Sequence, residues 1–425
     1  MRNRRRNDKW LVIATAVFGL LAVLLWRPVQ RELLAKLVLR SDTANETAVD
    51  QVASQLEDPV PWLERLWRSD KIPHRVLAVS YLKRNAVQNA SRVERARSML
   101  LAAASDGDLE VRQMALETLA EHHDPQLAPL AGEQLRDVDP IAKALGLNLL
   151  RDHGSAALVP VAILFLDDPD PRVVHAAATA LRRWTGLDFG IRYRQIAPMR
   201  KGDKSKDANT ENAEALAQGV SGWKEWWKRH QADYAVEPSV RVRSPSAWRL
   251  PAAELRLADL ESKIVRLADF RGKAVLLYFW SSTIPESSLD IPSLVELQRR
   301  NTETLVVLGI SLDGAGFDKC CEDHEHSHAH ESKPDVAGVC ARLKQVVAKQ
   351  GINFRVLLDP EGEAASRYHV SELPTCVLID PEGCVRRRFA GGRRFDTLNA
   401  MLNEIISPEP APQTKLATEA ERGKP

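Results

Sequence analysis

Residues 275–292 read Val275-Leu276-Leu277-Tyr278-Phe279-Trp280-Ser281-Ser282-Thr283-Ile284-Pro285-Glu286-Ser287-Ser288-Leu289-Asp290-Ile291-Pro292. The apolar run that opens this stretch has the composition of a strand covered on both faces. Comparable short runs rich in Val, Leu and Ile recur at 305–312, 354–358 and 376–379. Between them lie helix-like stretches at 288–300, 339–350 and 361–368. Alternating strands and helices predict an α/β domain over residues 250–406.

Two motifs narrow the class. Val265-Arg266-Leu267-Ala268-Asp269-Phe270-Arg271-Gly272-Lys273 leads into the first strand, and Tyr368-His369-Val370-Ser371-Glu372-Leu373-Pro374-Thr375-Cys376-Val377-Leu378-Ile379-Asp380-Pro381-Glu382-Gly383 comes later. In this order they resemble the two signatures of extracytoplasmic thioredoxin-like proteins of the TlpA/ResA kind. The resemblance implies a thioredoxin fold, thiol-disulfide chemistry, and a cis-proline facing the redox centre at Pro374.

The redox motif itself departs from that pattern. The family carries F-W-A-x-W-C-P-x-C followed by an acid and a proline. Here the frame, a proline, the acid and the second proline match, but Ile284 and Ser287 occupy the two cysteine positions. Exchange needs one thiolate to attack and a second thiol to resolve the mixed disulfide. A serine with no histidine nearby in sequence is a poor substitute. The related peroxidase arrangement fails too, because the position three after Thr283 is Glu286. The expectation is a redox-inactive domain acting as a binding or scaffold module, its pocket edge formed by Trp280, Pro285 and Pro374. The alternative is a redoxin enzyme working through Cys376, or through Cys320, Cys321 and Cys340. Cys376 and Cys384 lie on expected strands, where a cysteine is commonly a small buried hydrophobe.

Residues 314–337 interrupt the domain. They contain Cys320, Cys321, His324, His326, His328 and His330, so that four of the chain's 11 histidines fall within seven residues. Neutral imidazoles alternating along an extended segment, with thiolates beside them, suit zinc or copper. Metal binding or delivery by this loop is a third functional expectation. A solvated loop closed by a disulfide from Cys340 to Cys320 or Cys321 is the competing one. No cofactor is required by either of the first two readings.

Upstream, residues 45–186 repeat. Asp108, Asp139 and Asp170 are 31 residues apart; Ala115, Gly146 and Ala177 follow at a fixed offset, and Leu119, Leu150 and Leu181 at another. The same offsets from Lys71 give Ala78 and Leu82. A small residue lets helix backbones approach, and the leucine seals each helix on its neighbour. The segment 170–181 resembles a HEAT repeat, which implies an all-α solenoid offering a protein-binding or spacing surface. Residues 187–247 link the modules, with 200–212 expected as an exposed loop and Trp223, Trp226, Trp227 and His230 along one helix face.

The N-terminus adds a membrane expectation. Residues 1–9 carry a local net charge of +4 and residues 10–26 carry no charge. As a helix of about 25 Å, the latter approach the ~30 Å of a bilayer core, and the basic flank predicts a cytoplasmic N-terminus. The expected architecture is therefore multidomain: a transmembrane helix or signal anchor at 10–26, a HEAT-like solenoid, a thioredoxin-like α/β domain and a disordered tail at 407–425. The expected location is single-pass membrane, with the bulk extracytoplasmic. The expected partners are the membrane and a protein, held by the repeats and the pocket. Nucleic acid is not among them, since a formal net charge of +2 lacks the basic excess that phosphate binding requires.

Overall fold

Three helices in the middle of the chain begin on aspartates, because an aspartate at the cap accepts the amide protons that a first helical turn leaves unpaired. The Asp108 carboxylate accepts from the amides of Glu110 and Val111, Asp139 from Ile141, and Asp170 from Arg172. Two residues upstream of each, Asp106, Asp137 and Asp168 accept the backbone amide of the capping aspartate itself, at 3.0, 2.9 and 2.9 Å. The computed structural model in which these caps are seen describes residues 30, 32–42, 45–86, 90–191, 205–234, 250–315 and 335–406. It divides into two units, Met1–Met99 and Leu100–Pro425.

In the first unit, residues 32–40 are helical, followed by α1 (Glu46–Ser54), α2 (Val60–Trp67) and α3 (Ile72–Ala86). Asn45 caps α1 through the Ala48 amide. Leu63, Leu66, Ala78 and Leu82 are all buried. Helix α4 (Ala90–Ala103) crosses into the second unit.

The second unit continues with α5 (Leu109–Glu121), α6 (Leu127–Gln134), α7 (Pro140–His153), α8 (Val159–Leu164) and α9 (Pro171–Thr185). Ala115, Gly146 and Ala177 are buried, as are the leucines that follow them. At Gly146 the approach is so close that an added Cβ would lie 2.6 Å from the Ala131 carbonyl oxygen. Helix α10 (Ser205–His230) leans on the end of this array. Gly219 and Gly222 leave room there for Ile191 and Phe189, and Trp223 is buried edge-on to Phe189 at 4.8 Å. Trp226 and Trp227 are only half-buried and contact His230 and Tyr234 instead. The loop expected at 200–212 is helical from Ser205 onward, since no glycine or proline interrupts the sequence between Gly202 and Gly219.

Strands and helices then alternate: β1 (Leu250–Pro251), β2 (Arg256–Asp259), β3 (Ile264–Arg266), β4 (Ala274–Trp280), α11 (Pro285–Leu289), α12 (Ile291–Arg300), β5 (Leu305–Ser311), α13 (Val336–Gln350), β6 (Arg355–Leu358), α14 (Glu363–Arg367), β7 (Thr375–Ile379), β8 (Cys384–Ala390) and α15 (Phe395–Ile406). They form one eight-stranded sheet in the order β1-β8-β7-β4-β5-β6-β2-β3. β4, β5 and β6 run parallel, while β7 and β8 return antiparallel. Every residue of β4 is buried, as its continuous apolar run requires.

Three arginines join the sheet to the aspartate-capped helices. Arg388 of β8 lies against Asp108 and Glu110, Arg387 against Asp137 and Glu404, and Arg393, in the loop before α15, forms a two-pronged pair with Asp139 at 2.9 Å on each prong. Leu109 and Ala142, in the first turns of α5 and α7, belong to the same apolar cluster as Phe389, Cys376 and Met401. Burial disfavours a charged guanidinium, yet Asp108 and Glu110 outweigh it and hold Arg388 above its ordinary pKa. For the same reason Asp137 stays below its ordinary value despite burial, held down by Arg387 and Arg112.

The membrane expectation is corrected here. Residues 10–26 lie outside the described residues, and no described helix is long and apolar enough to cross a membrane. The longest, α10, carries Lys224, Glu225, Lys228 and Arg229 near its end, so it is charged where a spanning helix must be apolar. The architecture is a helical N-terminal region followed by an α/β domain, without a transmembrane helix as its first described element. The single-pass placement, which rested on that helix, falls with it.

Gly146→Val tests the close approach of α6 and α7. Overpacking against a backbone carbonyl is expected to cost about 1–3 kcal/mol, read as a lower urea midpoint, whereas Asp152→Asn on an exposed part of α7 leaves the midpoint unchanged.

Candidate binding pocket

The chain leaves β4 at Trp280 and turns sharply, and the turn is fastened by one carboxylate. Asp313, fully buried just beyond β5, accepts hydrogen bonds from the Ser281 hydroxyl at 2.6 Å, the Ser282 amide at 2.8 Å and the Ser282 hydroxyl. Arg342 on α13 approaches the same carboxylate at 3.4 Å. The Ser281 hydroxyl also meets that of Thr283 at 2.7 Å. This network places Ile284 at the cap of α11 and Pro285 in its first turn.

The two degenerate positions differ in exposure. Ile284 is half-buried, whereas Ser287 is fully buried and its hydroxyl accepts the Ser281 amide at 3.4 Å. The Ser287 carbonyl accepts the Tyr278 hydroxyl at 2.5 Å. Neither position carries a thiol, and among the described residues no imidazole is hydrogen-bonded to the Ser287 hydroxyl. Pro285 and Leu289 are exposed, Leu289 by 63%, so the short helix turns an apolar ridge to solvent.

Opposite this turn is the Leu373–Pro374 peptide, which is cis. Pro374 is buried and its carbonyl accepts the Gly391 amide at 2.8 Å, tying β7 to the loop after β8. Trp280, expected at the pocket edge, is fully buried in the core beside Tyr278. Sequence could not show this, because a strand covered on both faces gives no alternation from which to read direction. Cys376 is 3% exposed within the same core. Its thiol is pushed up by burial and then by the nearby Asp290 carboxylate, which disfavours the thiolate. Cys340 is a free thiol that donates to the Leu260 carbonyl at 3.3 Å, and Cys384 is free and half-buried. The two partners considered for it in a disulfide, Cys320 and Cys321, lie outside the described residues. Cys320, Cys321, His324, His326, His328 and His330 lie outside the described residues.

One residue drew little notice in the sequence. Asp290, between α11 and α12, has a buried oxygen, Oδ2, with no hydrogen-bond partner. It presses on Gly392 so closely that a Cβ there would lie 1.8 Å from its Oδ1. Burial raises its pKa to about 6, against the opposing pull of Arg393, Tyr278 and Arg172. The nearby hydroxyl of Tyr278 is raised as well, by burial and then by Asp290. An acid after the motif was visible as part of the resemblance; its burial needed the glycine loop, which lies about a hundred residues away.

A central sheet with this order, a cis-proline beside the turn after its first long strand and a helix opening on that turn define a thioredoxin-like redoxin. Residues 249–388 match the AhpC/TSA family. The thiol-disulfide oxidoreductase ResA of Bacillus thuringiensis subsp. konkukian (strain 97-27) is 30% identical over 149 residues, which are 35% of this chain and 73% of that protein. The ResA of Geobacillus thermodenitrificans (strain NG80-2) is 27% identical over 158 residues, 36% of this chain and 75% of the relative. Among solved structures, the exposed lipoprotein thioredoxin Etrx1 from Streptococcus pneumoniae strain TIGR4 is 27% identical, covering 36% of this chain and 99% of its own, with a TM-score of 0.29. Through its C-terminal domain the chain belongs to this redoxin family, related to the ResA thiol-disulfide oxidoreductases.

The Asp290 environment yields a pH prediction. A carboxyl raised to about 6 when folded, from an ordinary 3.8, favours the folded state fully below the lower value and loses that contribution as pH rises through the higher. Asp290→Asn should therefore gain of order 2 kcal/mol relative to the parent between pH 4 and pH 8, measured by urea unfolding at each pH. An unchanged difference across that range would contradict the assigned burial.

Proposed function

We propose that the redoxin domain has lost dithiol exchange and serves as a polypeptide-binding module, presented alongside a helical surface of HEAT-like character. The observation that carries this reading is the pair Ile284 and Ser287 at the thiol positions, together with the enclosure of Cys376. An attacking thiolate and a resolving thiol are both needed, and neither Ile284 nor Ser287 supplies one. Cys376 is shielded from solvent and biased toward its neutral form.

Binding is supported by what the motif presents instead. Ile284, Pro285 and Leu289 give a small apolar ridge, and an exposed apolar patch beside a rigid turn suits an extended polypeptide. The hydroxyl network on Asp313 fixes the turn where mobility would serve a thiol that must approach a disulfide. The role is one of recognition, with neither a required cofactor nor an electron donor.

Three measurements test it. In the dithiothreitol-driven insulin assay the native chain should give the uncatalysed rate. Activity abolished by Cys376→Ser would overturn the reading. The paired substitution Ile284→Cys with Ser287→Cys should raise the rate about tenfold or more if the thioredoxin frame is otherwise intact. Calorimetric binding of reduced, alkylated insulin chain to the native protein should weaken about tenfold in Leu289→Asp.

A further inference from the structure

We propose that the redoxin pocket is a two-module site: its rim is held by the capped helices through Asp139 and Asp108, so that Asp139 acts as a positioning residue for a pocket it does not line. This stands independently of whether the domain exchanges thiols. The loop after β8 forms the rim, with the Gly391 amide on the Pro374 carbonyl and Gly392 against Asp290. Nothing in the loop is rigid by itself, since two glycines occupy it and Gly391 has φ of 74°. What fixes it is Arg393.

Arg393 is 3% exposed, and its guanidinium uses both of its edges. Nη1 donates to the carbonyls of Ala390, Gly391 and Gly392, each at 3.1 Å, and the group lies 4.6 Å over the Phe389 ring. Nε and Nη2 donate to the two oxygens of Asp139. Asp139 is itself fixed to α7 by the Ile141 amide at 2.9 Å. Movement of α7 is therefore passed to three consecutive carbonyls of the rim.

A second tether meets the other side of the pocket. Arg388, paired with Asp108 on α5, donates from Nη1 to the carbonyl of His369 at 2.9 Å. His369 has φ of 51° and begins the segment that leads to Pro374. Both segments bordering the pocket are thus fastened to helix caps 31 residues apart. A buried guanidinium that loses its carboxylate must reach water, and either segment can follow it only by leaving the pocket.

Hydrogen exchange on the full-length chain tests this. In Asp139→Asn and in Arg393→Lys, which keeps the charge but loses the fork, amides of 369–376 and 389–394 should exchange about a hundredfold faster, with β4 and α15 unchanged. Asp139→Glu should recover that protection while loosening the first turn of α7, because a carboxylate remains in reach but glutamate caps poorly where asparagine caps well. Asp152→Asn, elsewhere on α7, should change neither segment. Changes confined to the first turn of α7 in Asp139→Asn, or native protection in Arg393→Lys, would overturn the proposal. If Asp139→Asn unfolds altogether, Arg393→Lys decides alone, since it leaves the helix cap intact.

Discussion

A guanidinium removed from water needs a carboxylate in the right place, and in this chain the carboxylates are already employed as helix caps. Asp108 and Asp139 each serve twice, satisfying the amides of a first helical turn and compensating an arginine from the redoxin domain. Desolvating such a pair is costly, and stability comes only when the geometry is good and the remaining donors are used. Arg393 meets that condition with a forked carboxylate, three carbonyls and an aromatic face. The apolar contact of Leu109 and Ala142 with the core around Phe389 surrounds these charges and keeps them dry.

The same economy shapes the pocket. A redoxin that exchanges thiols needs an exposed, acidified cysteine, and this chain has placed isoleucine and a buried serine there. Around them the polar groups are paired with one another: Ser281, Ser282 and Thr283 with Asp313 or each other, and Tyr278 with the Ser287 carbonyl. Asp290 Oδ2 and the Trp280 indole nitrogen are exceptions among the described residues, and Asp290 is a carboxylate set beside a motif without cysteines. Its raised pKa reflects burial against a glycine loop, with no thiol at either motif position for it to serve.

Much of the sheet was legible in the sequence. The runs at 274–280, 305–312, 354–358 and 376–379 contain β4, β5, β6 and most of β7, because central strands covered by helices leave long apolar stretches. The 31-residue spacing was legible through the aspartates and the small residues. The second aspartate of each pair, at 106, 137 and 168, went unread, although its two-residue spacing was there to be seen. The contacts of Arg387, Arg388 and Arg393 had no local signal at all, since their partners lie some 250 to 280 residues away. Trp280 and Cys376 misled or gave no answer for a shared reason: in a strand buried on both faces, period two does not distinguish pocket from core.

The spacing of the caps has an architectural meaning. Arg388 and Arg393 are five positions apart, yet they reach aspartates 31 positions apart on neighbouring helices. The redoxin domain thereby gauges one helical unit, as a key gauges the pitch of a lock. A unit inserted or deleted upstream of Asp108 leaves this register intact, whereas one inserted between Asp108 and Asp139 separates the two carboxylates and strands an arginine. The two arginine pairs thus fix the length of the helical array between Asp108 and Asp139.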